Sequence, residues 1–451
     1  MIELLIGVVV AIGVGRYIIK GYSATGVLMV GGLMLLAISA SMGKSVLPAS
    51  ATSTGWHATD IVEYVKILLM SRGGDLGMMI MMLCGFAAYM THIGANDVVV
   101  KLASRPLQVI NSPYLLMIAA YFVACLMSLA VSSATGLGVL LMATLFPLMV
   151  NVGISRGAAA AICASPAAII LSPTSGDVVL AAKAAEMPLV DFAFKTTLPI
   201  SIAAIICMAI AHFFWQRYLD KKNNEQHHIV DVSEITTHAP AFYAILPFTP
   251  ILGVLVFDGK WGPELHIITI LVICMLLAAV IEFIRSFNAK IVFTGLEVAY
   301  RGMADAFASV VMLLVAAGVF AQGLSTIGFI SGLIGLAQSF GTGGIIMMLV
   351  LVVITMLAAM TTGSGNAPFY AFVELIPKLA AQMGINPAYL VIPMLQASNL
   401  GRTLSPVSGV VVAVSGMAKI SPFDVVKRTS VPVIVGLIVV IVATELLVPV
   451  R

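Results

Sequence analysis

Charge is what this sequence has least of. Asp, Glu, Lys and Arg make up 10% of its 451 residues, whereas a soluble domain carries about 25%. Hydrophobic residues make up 61% and the mean hydropathy is +1.10, which excludes a soluble fold and points to a chain that lies in the bilayer along its whole length. The five cysteines, Cys84, Cys125, Cys163, Cys207 and Cys274, stand singly in apolar segments. Without a CxxC pair they exclude a disulfide framework and a thiolate metal site, and they read as small packing side chains. No histidine has a partner at metal-ligand spacing and HExxH is absent, so neither a metal nor another cofactor is expected. The net charge of +3 is scattered over loops and forms no run suited to nucleic acid. GxSG and GxGD signatures are also missing, which argues against an intramembrane hydrolase and against any enzyme. The first twenty residues lack a basic n-region and a small-residue cleavage site, so they read as a retained span rather than a signal peptide.

Repetition is what the sequence does have. LSPTSG (171–176) returns as LSPVSG (404–409), and KTTLP (195–199) returns as RTSVP (428–432), both at a spacing of 233. GFAAYMTHIG (85–94) parallels VFAQGLSTIG (319–328), and SSATG (132–136) parallels TTGSG (361–365). One accidental hexapeptide would not carry its neighbours along. The chain therefore reads as two copies of one unit, the sequence signature of a secondary transporter with its substrate at the repeat interface.

Each copy contains five apolar spans, and an odd number requires the second copy to run through the membrane inverted. The expected architecture is an all-α polytopic membrane protein: a first inverted repeat over 1–216, a hydrophilic linker over 217–240 and a second repeat over 241–451. Between the third and fourth spans of each copy lies an apolar stretch too long for one helix, 112–151 and 344–380. Each reads as a re-entrant hairpin turning at SSATG or TTGSG, because non-helical backbone at that depth must face protein or a polar cavity. With the N-terminus outside, fourteen Lys and Arg fall on the cytoplasmic side against eight on the other, which favours that orientation.

The fourth spans, 157–182 and 386–417, each hold Ser, Pro, Ser and Gly within six residues: Ser172, Pro173, Ser175 and Gly176, then Ser405, Pro406, Ser408 and Gly409. Proline removes a backbone donor and glycine permits unusual dihedrals, so each span should break into half-helices whose exposed ends can hold ions. The plainer alternative is a proline kink with serines bonded back to the helix. Two matched motifs, each paired with a Ser/Thr-rich hairpin tip, favour a binding site. Arg402 precedes the second break and aligns with Ile169. A guanidinium at membrane depth needs a partner or a function, either as a fork for a carboxylate or as a structural donor to backbone carbonyls. Asp177 follows the first break and aligns with Val410. It is the natural candidate for cation or proton coupling, or else it caps the half-helix that follows.

The runs LLMSRGGDLGMMIMMLCGFAAYMTHIGAND, SSATGLGVLLMATLFP, SPTSGDVVLAA, TTGSGNAPFYAFVE and QASNLGRTLSPVSGVVVAVSGMAKISPF resemble the DcuC-type anaerobic C4-dicarboxylate carriers over nearly the whole chain. The resemblance implies a bacterial inner-membrane carrier of succinate, fumarate, malate and aspartate, working in succinate export and exchange during anaerobic growth. It also implies a homodimer of inverted repeats, in which a transport body moves like an elevator against a scaffold. The hairpins and fourth spans would form that body, and the remaining helices the scaffold. In such relatives hairpin tips and broken-helix loops hold the substrate. That maps onto Ser132, Ser133, Thr135, Ser172, Thr174, Ser175, Thr361, Thr362, Ser364, Asn366, Asn399, Ser405 and Ser408, alongside Arg402. The tips here lack the Ser-Asn-Thr triplet of sodium-coupled dicarboxylate relatives, which points toward proton coupling or plain exchange. A carrier of the same fold for another small organic anion or an amino acid is the alternative. A channel fits duplicated broken helices less well.

Overall fold

Helices, where this chain forms them, have no need of a polar face. On Leu198–Asn223 the side chains Ile202, Ile206, Ile210 and Phe214 recur every four residues and are exposed, while Ala204 and Met208 are buried. In water an outward stripe like this would be polar; apolar, it is a face for lipid tails. The computed structural model describes residues 2–20, 22–48, 51–110, 112–131, 133–223, 239–257, 262–263, 265–329 and 343–450. Ser132 and linker residues 224–238 lie outside them. Among the described residues there is no strand, and seven helices are long and apolar enough to cross a membrane.

In chain order the α-helices used below are α1 (Ile2–Ile19), α2 (Ala24–Ser41), α3 (His57–Ser71), α4 (Gly77–His92), α5 (Ala95–Ser104), α6 (Pro113–Met127), α7 (Ala134–Asn151), α8 (Arg156–Ala164), α9 (Gly176–Ala184) and α10 (Leu198–Asn223). They continue as α11 (Thr249–Val256), α12 (Ile267–Ser286), α13 (Ala289–Ala306), α14 (Met312–Ile327), α15 (Gly343–Thr362), α16 (Asn366–Val373), α17 (Ile376–Met383), α18 (Pro387–Thr403), α19 (Gly409–Ala418) and α20 (Pro422–Leu447). Packing sorts them into two groups. α2 lies along α14 and α4 along α13, whereas α10 lies along α20, and α18 sits between α15 and α20. The α4–α13 contact is backbone-close: a Cβ added to Gly85 would come 2.8 Å from the Ala299 carbonyl oxygen, and one on Gly302 2.8 Å from Ala88 Cβ. Small residues make such an approach the main source of helix adhesion in lipid, where no hydrophobic drive remains.

Two spans are longer than their apolar runs suggest. α3 and α4 join through a π-helical turn at Arg72–Leu76, and α13 and α14 through another at Phe307–Val311. The extra helices escape a hydropathy reading because each is amphipathic. α13 exposes Arg301 and Asp305 but buries Val292, Gly295 and Ala299 at helical spacing. The linker also begins later than its composition suggests, since α10 runs on to Asn223. Asp220 explains this: it accepts hydrogen bonds from Arg428 Nη1 at 2.7 Å, Ser155 Oγ at 2.6 Å and Tyr114 at 3.2 Å, fixing the helix end to α20, α8 and α6.

Both fourth spans are broken, and unequally. The second stops at Thr403 and restarts at Gly409. The first stops at Ala164, makes one 3-10 turn at Pro166–Ala168, extends at Ile169 (φ −113°, ψ 122°) and restarts only at Gly176. Pro166 accounts for the difference. It cannot donate to the helix ladder, and it stands where the second copy has Asn399.

Candidate functional site

Four helices begin at one cavity of about 550 Å³. Ala134 of α7, Gly176 of α9, Asn366 of α16 and Gly409 of α19 are first helical residues, and all four line it. A helix N-terminus presents unpaired N–H groups and roughly half a positive charge. Four of them at one cavity give it a positive potential that favours an anion. The turns that deliver them are tight. Gly363 adopts φ +71°, and a Cβ there would come 2.9 Å from the Ser408 nitrogen, so the second tip sits directly on the second break. A Cβ on Gly409 would meet Thr135 Oγ1 at 2.9 Å, which brings the first tip to the same break.

Of the residues singled out in the sequence, Ser133, Thr135, Thr174, Ser175, Asp177, Ser364, Asn366, Asn399 and Arg402 line this cavity. Ser133 Oγ accepts from Gly136 N at 3.1 Å and caps α7; Ser364 Oγ accepts from Ala367 N at 3.2 Å. Asp177 is buried in the first turn of α9, where Ser175 Oγ donates to its Oδ1 and Asn399 Nδ2 lies 3.4 Å from its Oδ2. Ser175 holds the N-cap position without a side-chain cap bond, and the Asp177 carboxylate accepts from the first-turn N–H groups of Asp177 and Val178, as a capping group does. Arg402 donates from Nη2 to the Ala167 carbonyl at 2.7 Å. Its Nε is buried without a partner, as is Asn399 Oδ1.

Five other residues do not line the cavity. Ser172 Oγ lies 3.0 Å from Thr174 Oγ1, and Thr361 and Thr362 donate back to carbonyls of α15, Thr362 to Ala358 at 2.7 Å. Ser408 Oγ accepts from Val411 N at 3.4 Å as the cap of α19, and Ser405 is buried with its hydroxyl unpartnered. A short-range motif identifies a break without saying which of its side chains face the cavity.

The opposite wall was not legible as a site. It is one face of α4, with Ile80, Leu83, Cys84, Ala87, Ala88 and Thr91 at helical spacing. At its end Thr91 Oγ1 donates to the Ala87 carbonyl at 3.0 Å and accepts from Asn96 Nδ2 at 2.8 Å. Asn96 Oδ1 is left buried and unpartnered. A lone Asn after an apolar run carries no repeat partner and no motif, so only the fold reveals it. One wall is therefore polar and broken, the other apolar, helical and small-residued.

A family model described as C4-dicarboxylate anaerobic carrier, DcuC, matches residues 2–449. The chain belongs to that family. The anaerobic C4-dicarboxylate transporter DcuC of Escherichia coli K12 is 85% identical over 448 residues, covering 99% of this chain and 97% of the relative. The probable anaerobic C4-dicarboxylate transporter DcuC of Vibrio cholerae is 62% identical, covering 100% and 98%. Two solved structures share the fold. The YdaH transporter of Alcanivorax borkumensis aligns with TM-score 0.63 at 17% identity, covering 94% of this chain and 97% of its own. MtrF of Neisseria gonorrhoeae, from a class of antimetabolite efflux pumps, aligns with TM-score 0.54 at 12% identity, covering 93% and 94%. The chain is thus a multi-pass C4-dicarboxylate carrier of the bacterial inner membrane, and not an enzyme.

Proposed function

We propose that the cavity is the dicarboxylate site, that it takes succinate, fumarate and malate, and that it works by exchange. The observation that carries this reading is the convergence of four helix N-termini with Arg402 Nε, an unpartnered buried donor, around one cavity. A C4-dicarboxylate brings two negative charges whose lost hydration must be replaced by fixed donors. Arg402 takes one carboxylate with the arm it does not lend to Ala167, and the N–H groups and hydroxyls of α7 and α9 take the other. Asp177, beside them, repels a dianion when ionised and tolerates it when protonated, which makes it the coupling group for a proton.

Alternating access follows from the two walls. The two copies, related as inverted repeats, contribute the tips and breaks to a moving body, and the smooth face of α4 belongs to a scaffold past which that body slides. The packing of α10 and α20 on each other and on α8 and α18 supports placing these fifth spans in the moving body, rather than in the scaffold as the sequence alone suggests. The polar ties across the boundary favour one end. Arg72, at the π-turn before α4, pairs with Glu374 after α16, and Lys378 Nζ reaches Gln322 Oε1 at 2.9 Å on α14. The cavity runs along α4 from Ile80 to Thr91, away from Arg72. The reading is a carrier tied shut at the Arg72 end and accessible from the other.

Counterflow of labelled succinate in proteoliposomes, against unlabelled dicarboxylates, monocarboxylates and amino acids at controlled pH and sodium, tests the function. Dicarboxylates alone should drive it, independently of sodium. Run on protein with Cys at positions 72 and 374, oxidative cross-linking should stop counterflow and reduction restore it. Full counterflow in completely cross-linked protein would rule out the sliding body, and equal drive by monocarboxylates would rule out the two-carboxylate site.

A further inference from the structure

The extended backbone after Ile169 leaves peptide groups outside any helix ladder, and it is held by a side chain that does not line the cavity. Gln396 of α18 is fully buried. Its Oε1 accepts from Ile170 N at 2.9 Å, and its Nε2 donates to the Ile170 carbonyl at 3.3 Å. The same carbonyl also accepts from Ser201 Oγ of α10 at 3.3 Å, and Ser201 Oγ accepts from Gln396 Nε2 at 3.2 Å. The amide thus meets both polar groups of one residue, as a neighbouring strand would. Gln396, Asn399 and Arg402 lie three residues apart on one face of α18. All three reach the first break, at Ile170, Asp177 and Ala167 respectively. The aligned positions in the first copy are Cys163, Pro166 and Ile169, none of which can do this.

We propose that Gln396 is a positioning residue for transport: it sets the unwound backbone of the first break, and through it the placement of Thr174, Ser175 and Asp177 on the substrate. The inference rests on reading this cavity as the dicarboxylate site. An unsatisfied peptide group in a membrane interior is strongly disfavoured, so without the clamp the break refolds toward helix or shifts, and the lining residues move with it.

Three variants separate the clamp from mere filling of space. Gln396→Met keeps the volume and loses all three hydrogen bonds. Succinate counterflow should show KM raised at least tenfold, with normal assembly by size exclusion. Gln396→Asn, one methylene short, should fall between Met and wild type. Gln396→Glu is the decisive arm. A protonated Glu carries an acceptor and a donor where Gln has them, while an ionised Glu cannot donate to the Ile170 carbonyl. Its counterflow relative to wild type at the same pH should therefore rise several-fold between pH 8 and pH 5.5. Repeating the comparison in an Asp177→Asn background separates this titration from that of Asp177, which lies on α9. Wild-type KM in the Met variant would overturn the proposal, and so would a flat pH ratio for the Glu variant. If the Met variant does not assemble, the Glu ratio alone decides. Failure of the site reading would appear separately, as Arg402 variants with unchanged affinity.

Discussion

The two breaks carry nearly the same six residues, LSPTSG and LSPVSG, and are built differently. The first, held open from Ser165 to Ser175, contributes backbone, two hydroxyls and the carboxylate of Asp177. The second is open only from Leu404 to Ser408, and the helix leading into it contributes the amide of Asn399 and the guanidinium of Arg402. Where the second copy carries Gln396, Asn399 and Arg402, the first carries Cys163, Pro166 and Ile169. The difference teaches that matching motifs in two halves of one chain need not build the same structure. The shared motif gives paired half-helices, and the residues in which the halves differ give the cavity its charged and amide groups. Two breaks of the first kind would leave peptide groups without the Gln396 amide that holds them. Two of the second would place two cations in one cavity.

Abolishing the asymmetry at its cationic end should have the largest effect. Arg402→Gln should assemble yet bind succinate more than tenfold more weakly, because removing one partner of a buried charge pair costs about 2 to 5 kcal/mol. Arg402→Lys, which keeps the charge without the fork, should fall between. Competition in the counterflow assay measures both, and a folded Gln variant with unchanged affinity would reduce Arg402 to its Ala167 hydrogen bond.

At the anionic end, Asp177→Asn fixes the group in a neutral form. Exchange should continue within a few-fold of wild type, while its dependence on pH flattens. A full wild-type pH profile in this variant would assign coupling elsewhere. The matched serines should give the smallest and most discriminating pair. Ser408 caps α19, whereas Ser175 makes no cap hydrogen bond and donates to Asp177 instead. Ser408→Ala should therefore lower the thermal midpoint, by the equivalent of about 0.5 to 2 kcal/mol, and leave affinity alone. Ser175→Ala should shift affinity and pH response with little change in melting. Identical phenotypes would mean that the breaks are more alike than their geometry.

What the sequence could reveal was local. Matching motifs mark both breaks and both tips, and an Arg or Asp amid apolar residues stands out because its burial demands a reason. Ser172, Thr361, Thr362, Ser405 and Ser408 belong to the same motifs yet do not line the cavity, since lining depends on how each short turn closes. Gln396 and Asn96 were illegible for another reason. Their partners, Ile170 and the cavity, come from segments distant in the chain, and neither has a polar counterpart in the other copy. α3 and α13 were hidden because hydropathy averages over a helix whose charged residues share one side.

The four helix ends also bear on what the carrier does with nothing in it. Each carries about half a positive charge, so together they come near to the two charges of one dicarboxylate. On the proposed reading a bound dianion cancels the charge of the helix ends, and an empty cavity leaves it unmatched. On the proposed sliding-body reading, carrying unmatched positive ends past an apolar helix strips them of water with no compensation, so the return of an empty carrier should be the slow leg of the cycle. In the counterflow assay one-for-one exchange should then outpace net efflux, and equal rates would show that the ends remain hydrated as the body moves.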